Sequence, residues 1–383
     1  MSMNIAVVCY PTYGGSGVVA TELGIAMANK GHQVHFITYR QPVRLDMLVD
    51  NIHFHEVSVP DYPLFQYQPY ELALSSKMVS VIKENNIQLL HVHYAIPHAY
   101  AGYMAQQMLL QEGINIPMVT TLHGTDITLV GNHPDYKTAV TFSINQSNVV
   151  TSVSESLKQD TLRLFDIKED KIKVVPNFID YSKSESNPAE ECKRHMMATP
   201  NERILTHISN FRPVKRIDDV IKIFAKVVKE IPAKLIMVGD GPLQDDARAL
   251  CKELDIEDKV IFMGNSNEID KILCFSDMFL LPSERESFGL AALEAMMHGV
   301  PVISSNSGGI PEVNEQGYSG YLSNVGDIDD MAKNAINILK SEEELLKFKK
   351  NAKVQASKFD IGEIVPMYEN IYEEVLLEIN KNA

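Results

Sequence analysis

The chain has no tryptophan and only four cysteines, Cys9, Cys192, Cys251 and Cys274, with no C-x-x-C pair among them. Scattered thiols of this kind suit a reducing compartment and offer no cysteine-built metal site. Positive charge is also scarce: 35 lysines and arginines stand against 50 acidic residues, for a net charge of −15. That balance argues against a non-specific nucleic-acid binder and against a protein held on anionic membrane by bulk charge. No apolar run approaches the roughly 20 residues a membrane-spanning helix needs. The first residues, Met-Ser-Met-Asn-Ile-Ala-Val-Val, lack a basic leader and run straight into a strand. These absences lead to the expectation of a cytoplasmic protein without a membrane segment.

What is present is alternation. Apolar runs that read as buried strands, such as Asn4–Tyr10, Leu89–Val92, Met118–Leu122, Ile204–Ser209 and Met278–Leu281, are separated by helical periods with short connections. Strand–helix alternation implies parallel sheets covered on both faces. A chain of 383 residues exceeds one comfortable core. The stretch Asn177–Lys193, rich in serine and charge, interrupts the alternation and reads as a connection. The fold class expected is α/β, with two doubly wound Rossmann-like domains, 1–178 and 179–361, facing each other across a cleft. A terminal helix, 362–383, would pack back on the first domain through Val365, Tyr368, Tyr372, Val375 and Ile379.

The chemistry-bearing residues fall at strand exits. Glu286 and Glu294 flank a helix start at Ser287, Phe288, Gly289 and Leu290, whose open backbone N–H groups suit an anion. Two carboxylates beside an anion seat fit a ligand with hydroxyls at its ends and phosphate in its middle, as in a nucleotide sugar. Taken alone, a pair of this spacing is better explained as a capped helix with one exposed glutamate. In the glycine loop Gly14-Gly15-Ser16-Gly17, the run Gly15-Ser16-Gly17-Val18-Val19-Ala20 even satisfies G-x-G-x-x-A, but the second strand ends Ile37-Thr38-Tyr39-Arg40, without the acid a dinucleotide ribose needs. Asn210, Arg212, Lys215 and Arg216 leave the first strand of the second domain, and the three cations could neutralise a diphosphate. Tyr94 and His123 sit at two further exits. His91, His93, His98 and His123 invite a metal reading, but H-E-x-x-H is absent and the first two lie on a strand buried on both sides. Asp327-Ile-Asp329 is better explained as a helix N-cap than as a metal–nucleotide motif.

In this order and spacing the glycine loop, Leu122-His123-Gly124-Thr125-Asp126, the Lys215 segment, Glu286-x7-Glu294 and Gly308-Gly-Ile-Pro-Glu312 resemble the retaining glycosyltransferases of family 4, of GT-B fold. The resemblance implies that Glu294 binds the nucleotide ribose and Glu286 the donor sugar, with Ser287, Phe288, Gly289, Leu290 and Gly15 at sugar and diphosphate. Lys215 would neutralise the diphosphate, with Arg212 or Asn210 beside it, since many members carry an arginine where this chain has Asn210. Within the family, Cys9-Tyr-Pro-x-x-Gly-Gly-Ser-Gly17, His91-x-His-Tyr-Ala-x-Pro-His98 and Thr120-Thr-Leu-His-Gly-Thr-Asp-Ile-Thr128 resemble members that join N-acetylglucosamine from UDP-GlcNAc to L-malate in bacillithiol synthesis. Ser16, Arg44, Tyr94 and Thr121 would then serve the malate, and His123, Lys215 and Glu286 catalysis, without metal or other cofactor. The implied partners are these small molecules, not nucleic acid or membrane, and self-association stays open. Rival readings are a family member with another hexose or a lipid acceptor, a closing two-domain binding protein, and a sugar-nucleotide epimerase.

Overall fold

The computed structural model describes residues 2–12, 14–182, 193–266 and 268–382. Most of the Asn177–Lys193 connection therefore lies outside the described residues. The chain divides into two compact units, one of residues 1–177 and 361–383 and one of 178–360.

The first unit holds a seven-stranded parallel sheet: β1 Asn4–Val8, β2 Gln33–Thr38, β3 Ile52–Glu56, β4 Leu89–His93, β5 Met118–Leu122, β6 Val149–Ser152 and β7 Ile172–Val174. Its order is 3-2-1-4-5-6-7. Helices α1 Gly15–Asn29, α2 Tyr70–Glu84, α3 Tyr100–Leu110, α4 Pro134–Gln146 and α5 Glu155–Leu164 connect the strands. The order reverses between β1 and β4, and in an open parallel sheet ligands bind beyond the strand carboxyl ends at such a reversal. That rule selects the loops after Val8 and His93.

The second unit repeats the plan with β8 Arg203–Ile208, β9 Ala233–Val238, β10 Val260–Gly264, β11 Met278–Leu281, β12 Val302–Ser305 and β13 Gly320–Ser323. Its order is 10-9-8-11-12-13, with the reversal between β8 and β11. The longer helices are α6 Ile217–Val227, α7 Gln244–Glu253, α8 Leu290–Met297, α9 Ile328–Leu339 and α10 Glu342–Ser357. Helix α6 buries Val220, Ile221, Phe224 and Val227 against Leu205, Leu235 and Met237 of the sheet. The favoured loops here are those after Ile208 and Leu281, which carry Lys215 and Glu286.

Two strands escaped the sequence reading. β3, Ile-His-Phe-His-Glu, is an edge strand in which histidines take the place of apolar residues, and β13, Gly-Tyr-Leu-Ser, is short and weakly apolar. The last helix, α11, runs Ile361–Asn382 and belongs to the first unit. Its Tyr368 and Tyr372 are 1% exposed, and the Tyr372 hydroxyl lies 2.6 Å from His91 Nδ1. Among the described residues no helix is long and apolar enough to cross a membrane.

Candidate functional site

In the second unit the two loops at the sheet reversal are tied together by backbone. Glu284 donates its N–H to the Val214 carbonyl at 2.8 Å, one residue from Lys215. The loop after β12 clasps the other side. Ser305 Oγ donates to the Ser283 carbonyl, Ser307 Oγ to the Glu284 carbonyl, and Gly309 N–H to the Glu286 carbonyl at 2.9 Å. Gly308 has φ +64°, and a Cβ there would stand 2.0 Å from the Glu286 carbonyl oxygen, so only glycine allows this approach. Gly-Gly at 308–309 therefore shapes the Glu286 loop from behind.

On this frame Lys215 Nζ reaches Glu286 Oε1 at 2.5 Å, and Ser283 Oγ donates to the same oxygen at 2.8 Å. Below them, on β8, His207 is fully buried. Its Nδ1–H donates to the Leu280 carbonyl at 2.8 Å, which leaves Nε2 to accept from Ser209 Oγ at 2.8 Å. Burial pushes His207 down to about 4, with Lys215 among the lesser causes, so it is a neutral support under the ion pair. Neither His207 nor Ser283 was marked by the sequence, because each needs its spatial partner to look distinctive.

Helix α8 begins at Leu290, within the stretch where the sequence placed the helix start, with Gly289 as its N-cap at φ +99°. Ala292 and Leu293 N–H turn back to the Gly289 carbonyl, so the amides of Leu290 and Ala291 have no intrahelical acceptor. Phe288 is 3% exposed and packs edge-on against Phe359, so only its backbone is on offer to a ligand. Glu294 lies half-buried in the second turn, and Ser287 is half-buried ahead of the helix. Arg212 and Asn210 are exposed on the loop after β8. Arg216 caps α6 at φ +50° and pairs with Asp219 through Nε. Asp327 accepts from the Asp330 N–H at 3.0 Å and is the N-cap of α9, as its position suggested.

In the first unit Gly14 caps α1, with Gly15 its exposed first residue. Ser16 Oγ and Tyr94 OH are 2.8 Å apart. Tyr94 sits at φ +85°, a strained conformation for a bulky residue that costs about 1–3 kcal/mol. Its N–H is held by the Thr121 carbonyl at 2.9 Å. Its ring lies 5.1 Å from His123 and edge-on to Tyr10 at 5.3 Å. His123 is half-buried, and its Nε2 is 2.9 Å from His93 Nδ1. Burial drives His123 down to about 3 and His93 well below the usual range, so this pair is neutral and shares one proton. His123 Nδ1 is the nitrogen left for a ligand. Arg44 lies 3.7 Å from Glu22 of α1, which tethers its guanidinium.

Thr121 departs from its expected place at the acceptor. It is fully buried, and its hydroxyl lies 2.8 Å from His91 Nε2 and 2.7 Å from Thr151 Oγ1, on the face beneath α11. A strand buried on both sides gives no sequence signal for which residues face which way. Thr121 supports Tyr94 through its carbonyl instead. Of the four histidines that suggested metal, His91 and His98 are likewise taken up internally, the latter by the His93 carbonyl at 2.6 Å.

Comparison with known proteins fits this layout. Residues 13–183 match the family described as Glycosyltransferase Family 4, and residues 190–355 that described as Glycosyl transferases group 1. The chain is 48% identical, over the full length of both, to N-acetyl-alpha-D-glucosaminyl L-malate synthase of Bacillus anthracis. It is 24% identical to the phosphatidylinositol N-acetylglucosaminyltransferase GPI3 subunit of Saccharomyces cerevisiae, over 89% of this chain and 77% of the relative. Among solved structures, Anabaena HepE in complex with UDP-glucose superposes with a TM-score of 0.80 at 20% identity, covering 97% of this chain and all of HepE. Sucrose-phosphate synthase of Thermosynechococcus elongatus gives the same TM-score at 18% identity, over 98% of this chain and all of that one. These likenesses establish the GT-B fold, and with the full-length relative they place the protein in family 4 of the glycosyltransferases, as a glycosyltransferase.

Proposed function

We propose that the chain moves N-acetylglucosamine from UDP-GlcNAc to the hydroxyl of L-malate, with retention at the anomeric carbon. The observation that carries this reading is the 48% identity, spread over both units, to an enzyme whose name states that product. In this reading Glu294 holds the ribose and Glu286 the sugar hydroxyls. The Gly289 and Leu290 backbone, Ser287, Phe288 and Gly15 approach the sugar and diphosphate. Lys215, with Arg212 and Asn210 beside it, takes the phosphate charge. Ser16, Tyr94 and Arg44 receive the malate carboxylates, and His123 orients sugar or acceptor through Nδ1.

The chemistry follows from what these groups can do. Both glutamates are assigned to hydroxyl binding, which leaves no carboxylate for a covalent intermediate of the glycosidase kind. Same-face displacement satisfies the balance. The anomeric carbon–phosphate oxygen bond breaks as the malate oxygen–carbon bond forms, and the malate hydroxyl proton passes to the departing phosphate oxygen of UDP. Lys215 and the α8 amides stabilise the charge that grows on that phosphate. This reading calls for no metal, because these groups supply the countercharge. Lys215 lies 2.5 Å from Glu286, so the two groups assigned to phosphate and sugar stand side by side.

Incubation with UDP-GlcNAc, with and without L-malate, followed by mass spectrometry, should give UDP and a glucosaminyl malate only when malate is present. Malate-independent conversion, or transfer to another acceptor alone, would discard the assignment. The carboxylates should separate kinetically. Glu294→Ala should weaken UDP binding by about tenfold or more with a smaller change in turnover, whereas Glu286→Ala should lower kcat by about 100-fold. Small, equal effects in both variants would contradict the roles given.

A further inference from the structure

One carboxylate of the first unit is not used by the transfer step and yet holds two of its loops. Asp126 is 2% exposed. Its Oδ1 accepts the Gly124 N–H at 2.9 Å and the His123 N–H at 3.2 Å, and its Oδ2 accepts the Ala95 N–H at 2.9 Å. Three amides from the loops after β4 and β5 converge on this one side chain. An ionised carboxylate accepts on both oxygens with no donor of its own, whereas a protonated one turns one oxygen into an O–H donor and a poorer acceptor. The residues beside those amides are Tyr94 and His123. Tyr94 is fixed between its own N–H on Thr121 and the next N–H on Asp126, which holds its strained backbone and points its hydroxyl at Ser16.

We propose that Asp126 is a positioning residue for the acceptor: ionised, it pins the loops that set Tyr94 and His123, and protonated, it releases them and weakens acceptor binding. The inference rests on the transfer reading above and deepens it. Burial raises the Asp126 carboxyl to about 6, against the opposing pull of its amide bonds. The titratable groups facing it do not change state nearby. Tyr10 and Tyr94 are pushed up to about 12, and His123 is held down at about 3. Of the helices packed on these turns, α5 directs Lys158 to Glu169, while α4 sends Lys137 over the Phe165 ring. Below about pH 6 a proton on either Asp126 oxygen sets an O–H against N–H donors, and the pin opens.

Asp126→Asn keeps the shape and the Oδ1 acceptor but turns an NH₂ toward Ala95. The variant should raise the malate KM by about tenfold or more, with the UDP-GlcNAc KM within about twofold of wild type. The ratio of wild-type to variant kcat/KM should fall toward one as pH drops through 6, and titration of malate itself cancels in that ratio. A malate KM within twofold of wild type, or a ratio that does not vary with pH, would overturn the proposal. Hydrogen exchange on the wild-type protein keeps the test independent of folding of the variant and of substrate identity. Protection of the Ala95 amide, relative to amides of β4 and β5, should drop at least tenfold between pH 7 and 5, and constant protection would overturn the pin. Failure of wild type to transfer to malate while Ala95 behaves as described would sink the transfer reading and leave the pin standing.

Discussion

Lys215→Ala is expected to lower kcat/KM by about 10³-fold, the scale of losing a preorganised charge at a developing anion. The loss should sit mainly in kcat, because the phosphate charge grows as the sugar leaves. The fold should survive, since Glu286 keeps its Ser283 hydrogen bond and its backbone ties to Gly309. Lys215→Arg should recover part of the rate, with a fork too large for the position of a single ammonium. Steady-state kinetics at saturating acceptor, with circular dichroism to confirm folding, decides the matter. A loss under tenfold would remove Lys215 from the chemistry and leave it as the partner of Glu286.

Acid should unfold the first unit selectively. His91 and His123 are held at about 3, His98 at about 4, and His93 well below its usual value, all chiefly by burial. An unfolded histidine titrates near 6.5, so between that pH and about 3–4 the unfolded chain binds protons the folded one refuses. Stability is therefore present above about pH 6.5 and is lost as pH falls. Each such group removes about 1.4 kcal/mol between pH 7.5 and 5.5. Asp126, raised to about 6, works in the opposite sense, since the folded form takes its proton first as pH falls. The net loss is on the order of 4 kcal/mol, enough to lower the melting point of a unit this size by about 10 °C. Calorimetry at the two pH values should show one transition moving by this amount and the other, where among the described residues His207 is the one histidine with a lowered value, moving far less. Parallel shifts would contradict the histidine account.

The sequence exposes architecture better than it exposes contacts. Runs such as Asn4–Val8 and Met278–Leu281 announce themselves because a parallel sheet covered on both faces demands near-continuous apolar strands. β3 hides because His53 and His55, which stack on His35 of the neighbouring β2, stand where aliphatic residues signal a strand. Glycine loops at strand exits point to the right ends of the sheets. What they cannot reveal is pairing across long separation, as between Lys215 and Glu286 or between Ser307 and the Glu284 carbonyl. The same limit explains Thr121, whose facing depends on a helix more than 200 residues away in the chain. Asp126 carries no sequence signal of its own, because its role lies in three amides from two loops that meet on it in space.

The position of α11 has a consequence for the order in which the molecule is made. The second unit is one uninterrupted stretch, 178–360, and every strand it needs is adjacent in synthesis. The first unit has all its strands by Val174 but acquires its last helix only after the second unit has been translated. Until then the face that carries His91 and Thr121 lacks the tyrosines that cover it. Domains generally fold as units as they emerge from the ribosome. Here the half begun first is the half completed last, and a nascent chain stalled near residue 360 would carry a finished second unit beside an uncovered polar seam in the first.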